Sequence, residues 1–97
     1  VLSNGMFGAS MSTVSAGLAK AFKLKTGVLV NDVPEQTPAW RAGLRSGDVI
    51  VSVDDEPVLT LPEFRDRVLT RLRQRAVALQ VVRNQKPRTV TLTWSSP

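Results

Sequence analysis

The segment Ala42–Ile50, with the sequence AGLRSGDVI, constrains the fold of this 97-residue chain more than any other segment. Gly43 follows a short helical pattern and Gly47 stands in a tight turn, which indicates two backbone positions that a side chain would strain. Asp48 suits hydrogen bonding to turn amides, and the β-branched run after it predicts a buried strand. The segment therefore predicts a helix, a turn and a strand in close succession, with a structural role for Asp48.

Composition narrows the class of protein. A chain of this length with 42% hydrophobic residues suits one domain with one core. It contains no Cys and no His, so it offers no disulfide, no thiol nucleophile and no imidazole base. No apolar run reaches the roughly 20 residues that span a bilayer, and we expect no membrane span, no metal and no cofactor. The chain begins with Val1 and has no signal-peptide pattern, which indicates a piece of a longer protein.

Local patterns predict an α+β domain with a small, partly closed antiparallel sheet. Strands are predicted over residues 6–12, 28–33, 49–53, 76–83 and 89–94, and the last two form a hairpin. Short helices are predicted after the capping residues Ser15 and Thr37. A longer helix is predicted over Leu61–Arg73.

Apolar residues of the long helix recur at steps of three and four and therefore share one face. Phe64 and Leu72 are assigned to the core. Leu61 and Val68 fit the core and a binding surface equally well, because one apolar stripe serves both roles.

Two other patterns raise the question of catalysis. The acidic run Asp54–Glu56 is interpreted as a solvated turn, because three adjacent acids alone do not make a metal site. The serines within Ser10–Ser15 have no His to activate them, and nothing in the sequence places one beside Lys20 or Lys23. We therefore predict no catalytic residue.

The net charge of +5 leaves a different class of function open. Basic charge attracts nucleic acid, anionic lipid or acidic peptides. The aromatic residues do not alternate with Lys and Arg, so they form no platform for stacking bases. A nucleic-acid- or anionic-lipid-binding domain is nevertheless the alternative, and it predicts binding that falls steeply with salt. Under our preferred interpretation no nucleic acid is expected as a partner.

From Gly27 to Trp94 the order of motifs resembles a PDZ domain of bacterial type. Ala42–Ile50 has the form of the family signature, AGL-x-x-GD-[VI]-I. Pro34–Ala39 resembles the family's P-x-S-P-A segment. Val53–Val58 resembles its I-N-G-x-P-V turn, with Asp55 where Gly is usual.

The N-terminal part is most similar to PDZ domains of HtrA/Deg-family serine proteases. Gly5–Ala9 has the form of their carboxylate-binding loop, and Leu18–Leu24 resembles the helix that follows it. This order implies the circularly permuted bacterial arrangement, in which the final strand lies beside the first. Residues 1–4 would be a lead-in and residues 5–95 the domain. Ala9 stands where a bulkier apolar residue is usual, which changes the pocket for a ligand's last side chain.

The resemblance implies a peptide-binding site with two walls. The ligand would pair as an added strand beside residues 9–12, and its carboxylate would accept hydrogen bonds from the amides of residues 7–9. The helix that begins at residue 61 would form the other wall. The predicted binding residues are Phe7, Gly8, Ala9, Ser10, Met11, Ser12, Leu61, Arg65 and Val68.

Two of these residues imply a ligand preference. Leu61 stands where many family members hold a His that selects Ser or Thr two residues before the ligand's end. We therefore predict a hydrophobic preference at that ligand position. Arg65 would favour acidic residues further upstream in the ligand.

By this resemblance the chain is a non-catalytic module that recognises hydrophobic C-termini. It would regulate, or supply substrate to, a serine protease domain outside this segment, in an extracytoplasmic compartment. PDZ domains of site-2 metalloproteases, C-terminal processing proteases and secretion components stay as alternatives. So does a PDZ scaffold whose groove is closed by its own chain.

Overall fold

The computed structural model describes residues 6–22 and 26–94. The predicted lead-in, Gly5 and the Lys23–Leu24 part of the predicted first helix lie outside these residues. In chain order the elements are β1 (Ser10–Val14), α1 (Ala16–Phe22), β2 (Gly27–Asp32), α2 (Pro38–Ala42), β3 (Val49–Val53), β4 (Glu56–Pro57), α3 (Leu61–Leu69), a short 3₁₀ helix (Leu72–Gln74), β5 (Ala76–Arg83) and β6 (Lys86–Thr93).

The six strands form one antiparallel sheet that is not closed. Its order is β1-β2-β3-β5-β6, with β4 paired to β3 at the side. The α+β prediction is confirmed. The expectation that the final strand lies beside the first is wrong as a statement about strand pairing, because β1 and β6 end opposite sides of the described sheet.

The first strand begins and ends later than predicted, at Ser10 and Val14. Phe7 and Gly8 have positive φ values of 59° and 87°, and the amide of Ala9 donates to the carbonyl of Met6 at 3.1 Å. These residues form a turn, so β1 begins at Ser10, and β1 pairs with β2 and not with β6. The two ends meet through side chains instead: the rings of Phe7 and Trp94 stack with centroids 5.4 Å apart.

One cluster of buried apolar side chains lies between the sheet and the helices. Phe64 of α3 is its largest member, with no exposed surface. Strand β5 contributes alternate residues, as a half-buried strand should. The largest fully buried side chains besides Phe64 are Met11, Leu44, Ile50, Leu79 and Leu92.

The predicted helix and turn of the 42–50 segment are confirmed. Thr37 caps α2 by accepting a hydrogen bond from the Trp40 amide at 3.1 Å. Gly43 ends the helix with φ 102°, and Gly47 occupies the turn with φ 93°. No atom lies within 4 Å of a Cβ built at either glycine. Backbone conformation, and not lack of space, is therefore what favours glycine at both positions.

Asp48 has the structural role that the sequence predicts. Its side chain is fully buried, and Oδ2 accepts a hydrogen bond from the Arg45 amide at 2.9 Å. A partner that the sequence analysis missed completes the arrangement. Arg83 donates from Nε to Oδ1 at 2.6 Å and from Nη2 to Oδ2 at 2.7 Å, and Nη2 also donates to the Gly43 carbonyl at 2.8 Å. These hydrogen bonds with Asp48 raise the pKa of Arg83.

Helix α3 begins as predicted and ends earlier. Thr60 accepts a hydrogen bond from the Glu63 amide at 3.2 Å, and Glu63 Oε1 accepts one from the Leu59 amide at 2.8 Å. The helix stops at Leu69, because Arg71 leaves the helical conformation with φ −117° and ψ 17°. The break shifts the phase of the apolar stripe, and Leu72, which we expected in the core, is 47% exposed.

The acidic run at residues 54–56 is more structured than the predicted solvated turn. Asp54 accepts hydrogen bonds from the Ala78 amide at 2.8 Å and from Gln74 Nε2 at 3.3 Å. Arg71 forms ion pairs with Asp54, at 3.1 Å, and with Glu56. The hydrogen bond from the Ala78 amide is the main reason why the pKa of Asp54 lies below its ordinary value, with Gln74 and Arg71 adding to the effect. This turn therefore holds the end of α3 against β5.

Candidate functional site

The turn before β1 is held against helix α2. The Phe7 carbonyl accepts a hydrogen bond from the Ala39 amide at 3.2 Å. Gly8 lies so close to Thr37 that an added Cβ would stand 2.6 Å from Thr37 Cγ2. Both the positive φ and this close approach require glycine at position 8. The position of the turn is thus set by α2, a contact that the sequence analysis did not predict.

The amides of the predicted carboxylate-binding turn have different partners. The Ala9 amide donates to Met6 within the turn. No other described residue accepts a hydrogen bond from the amide of Phe7 or Gly8. Phe7 and Gly8 are the two central residues of the turn that the hydrogen bond from Ala9 to Met6 closes, and successive amides in a turn can form an anion-binding nest. Phe7 and Gly8 are therefore the two candidate donors that this part of the chain leaves for a carboxylate.

Strand β1 lies at one end of the described sheet. It pairs with β2, and no other described strand pairs with it. Ser10 and Ser12 are half-buried, whereas Met11 is 1% exposed and packs in the core. The pairing is irregular between Ser10 and Met11. The outer edge of β1 thus offers main-chain groups to an added strand directly after the turn.

Helix α3 starts beside the far end of β1. The Thr13 hydroxyl accepts a hydrogen bond from the Leu61 amide at 2.9 Å, which satisfies one of the unpaired amides at the start of the helix. Thr13 was missed by the sequence analysis, because the first strand was predicted to end at residue 12, whereas β1 continues to Val14. This bond fixes the distance between the two predicted walls at one end.

The predicted residues of the helix wall differ in exposure. Leu61 is 8% exposed and Val68 has no exposed surface. Both belong to the same buried cluster as Ala9 and Met11, so the structure brings the turn, the strand and the helix together through the core. Arg65 is half-buried, and no described carboxylate forms an ion pair with it.

The serines near this site have structural contacts. Ser15 accepts a hydrogen bond from the Leu18 amide at 3.2 Å and so caps α1 as predicted. The Ser12 hydroxyl accepts one from Asn31 Nδ2 at 3.2 Å. Lys20 is exposed, and Lys23 lies outside the described residues.

The chain thus forms a small α+β domain in which an end strand follows a turn of two left-handed residues and lies beside a helix. The sequence matches the family described as PDZ domain over residues 5–93. The chain belongs to the PDZ domain family.

Its relatives include bacterial serine proteases. The chain is 33% identical over 94 residues to the periplasmic pH-dependent serine endoprotease DegQ of Escherichia coli K12, covering 95% of this chain and 21% of that protein. It is 36% identical over 90 residues to the magnetosome formation protease MamE of Paramagnetospirillum magneticum, covering 90% of this chain and 12% of that protein. The chain thus spans about a fifth or less of the length of these relatives. The predicted resemblance to HtrA/Deg-family PDZ domains is confirmed.

Two solved structures have the same fold. The HtrA3 PDZ domain bound to the phage-derived ligand FGRWV superposes with a TM-score of 0.77 at 26% identity, covering 91% of this chain and 82% of that one. The HtrA-type protease AlgW with a decapeptide gives 0.71 at 26% identity, covering 96% of this chain and 30% of that one. Within residues 6–22 and 26–94, no helix is long and apolar enough to cross a membrane.

Proposed function

We propose that this PDZ domain binds extended peptides with hydrophobic C-termini along the outer edge of β1. The ligand's main chain would add to the sheet beside residues 9–12, and its carboxylate would accept hydrogen bonds from the amides of Phe7 and Gly8, with Ala9 beside them. The half-buried Arg65 would contact upstream residues of the ligand. Leu61 and Val68, which pack in the core, would support the floor of the groove.

One observation carries this proposal: the end strand of the sheet begins directly after the turn that presents the two amides. Main-chain hydrogen bonds along a strand edge give affinity without fixing a sequence. A carboxylate held by amides adds charge-assisted bonds, which are roughly twice as strong as neutral ones. The structures of the HtrA3 PDZ domain bound to a phage-derived ligand and of AlgW with a decapeptide support peptide binding by this chain.

The wider role follows from the relatives. DegQ and MamE are proteases in which a segment like this one is a small part of the chain. We therefore propose that the domain is a non-catalytic part of a longer serine protease, and that it supplies substrate to the protease domain or regulates it. The relatives named as periplasmic support an extracytoplasmic location.

A titration of the isotope-labelled domain tests the binding site. The probe is a peptide ending in FGRWV, prepared with a free carboxylate and as the C-terminal amide. We expect amide shifts at Phe7–Ser12 and Leu61–Val68, and a larger loss of affinity from amidation than from added salt. Equal binding of the two peptides would overturn the carboxylate site, and shifts elsewhere would overturn the groove.

A pair of glycine substitutions provides the matched control. Gly8→Ala places a methyl group 2.6 Å from Thr37 Cγ2 at a left-handed position, so it should displace the turn and weaken peptide binding. Gly17→Ala adds the same methyl group in α1, where the nearest atom is 4.0 Å away, and should leave binding unchanged. Equal affinities for both variants would contradict a role for the turn.

A further inference from the structure

A second concave surface lies at the β6 end of the sheet, whereas β1 forms the other end. It is a cleft of about 660 Å³ between α2 and β6, a volume within the range of ligand-binding pockets. Its walls include Arg41 of α2, Thr91 and Thr93 of β6, and Arg75 and Trp94. None of the five belongs to the proposed peptide groove, although Trp94 stacks on Phe7, so the cleft is a distinct surface that adjoins the turn before β1.

The charge of the cleft has one sign. Arg41 and Arg75 line it, and no acidic residue does. Among residues 6–22 and 26–94, no carboxylate forms an ion pair with either guanidinium. Arg41 is held in place by a hydrogen bond from Nη2 to the Gln36 carbonyl at 2.5 Å, which leaves its charge uncompensated. The cleft therefore favours a ligand that carries carboxylates.

The floor of the cleft matches an extended chain. Thr91 and Thr93 are alternate residues of β6, exposed on one face of the strand, so their hydroxyl groups lie about 7 Å apart along it. Alternate side chains of an extended ligand have the same repeat. We infer that this cleft binds an extended peptide segment with acidic side chains at alternate positions.

The aromatic wall favours a peptide over a nucleic acid. Proteins that bind single strands stack bases on open aromatic faces. Trp94 is half-buried, Phe7 stacks on it, and its indole Nε1 donates to the Leu72 carbonyl at 3.0 Å. Phe7 thus covers one face of the indole, and the part of the ring that stays exposed suits the methylene groups of a Glu side chain.

Calorimetric titration with a blocked peptide tests this inference without engaging the proposed groove. The probe has Glu at alternate positions and is acetylated and amidated, so it has no free carboxylate terminus. We expect saturable binding, much weaker binding of the matching Gln peptide, and amide shifts at Arg41 and Thr91–Trp94. This result stands whether or not peptides with free C-termini bind at β1.

Single substitutions distinguish the cleft from diffuse surface charge. Arg41→Gln and Arg75→Gln should each weaken binding about two- to five-fold, as expected for exposed ion pairs. Arg73→Gln removes the same charge from an exposed residue that does not line the cleft, and it should have no effect. Thermal unfolding of each variant checks that the fold is retained.

Four results would overturn the inference. The first is that the Gln peptide binds as tightly as the Glu peptide, and the second is that Arg73→Gln loses as much affinity as Arg41→Gln or Arg75→Gln. The third is that amide shifts are confined to β1 and α3. The fourth is that a single-stranded oligonucleotide or phosphatidylglycerol vesicles bind more tightly than the Glu peptide through Arg41 and Arg75.

Discussion

Replacement of Arg83 by Met removes the side chain that neutralises Asp48 within the described structure. Asp48 has no exposed surface, whereas the Arg83 side chain is 22% exposed. Removing one partner of a buried ion pair costs about 3–5 kcal/mol, because the other charge is left uncompensated. The Arg45 amide still donates to Asp48 in the variant, and Arg83 is partly solvated, so we expect the lower value, about 3 kcal/mol.

Thermal unfolding followed by tryptophan fluorescence measures this loss. In a domain of this size about 1 kcal/mol corresponds to about 4–8 °C, so the midpoint should fall by about 12–24 °C. Arg88→Met is the matched control, because Arg88 is exposed on β6, and it should change the free energy of unfolding by about 0.5 kcal/mol at most.

The double variant Asp48→Asn/Arg83→Met isolates the charge interaction. It should be more stable than the sum of the two single losses predicts, by about 2 kcal/mol. A loss below about 1 kcal/mol in Arg83→Met, or strict additivity of the two substitutions, would refute the argument that a buried charge causes the effect.

Three further predictions concern other contacts. The lowered pKa of Asp54 stabilises the fold above the ordinary carboxyl pKa of 3.8, so the free energy of unfolding should decrease as the pH falls below about 4. When the free energy of unfolding is measured by urea at a series of pH values, Asp54→Asn should reduce its decrease below about pH 4. An equal decrease in the variant and the original domain would contradict this prediction. Thr13→Val leaves the Leu61 amide without its acceptor and should cost about 0.5–2 kcal/mol by urea unfolding, as for a lost helix cap, whereas an unchanged midpoint would show that the bond contributes nothing. In a peptide panel, Leu or Val two residues before the C-terminus should bind better than Ser or Thr, and Leu61→His should reverse that order. If the unsubstituted domain prefers Ser or Thr at that position, the prediction is wrong.

Most of the fold could be predicted because its signals are local. Thr37, Pro38 and Gly43 define α2 through capping and backbone conformation alone. The hairpin of β5 and β6 follows from alternation on both sides of the turn at Asn84 and Gln85. These elements depend on residues within a few positions of one another, which a sequence pattern captures directly.

The features that were missed depend on contacts between distant segments. Arg83 pairs with Asp48 across 35 positions, and nothing near either residue indicates the other. The turn at Phe7 needs a positive φ at a residue that rarely adopts one, so an apolar run was predicted to be a strand. Burial of Val68 was left undecided by helical spacing, because that spacing identifies a face without showing what covers it.

The stacked rings of Phe7 and Trp94 join the two ends of the described chain at one corner of the domain. Phe7 is the second described residue and Trp94 is the last, so the described chain begins and ends close together, although β1 and β6 are at opposite ends of the sheet. A displacement of Trp94 is passed to β6 through the backbone and through the hydrogen bond from its amide to the Arg75 carbonyl at 3.0 Å, and it is also passed to Phe7 through the stacked rings. In a longer protein, tension or rotation applied to the chain at this corner would move the turn that precedes β1.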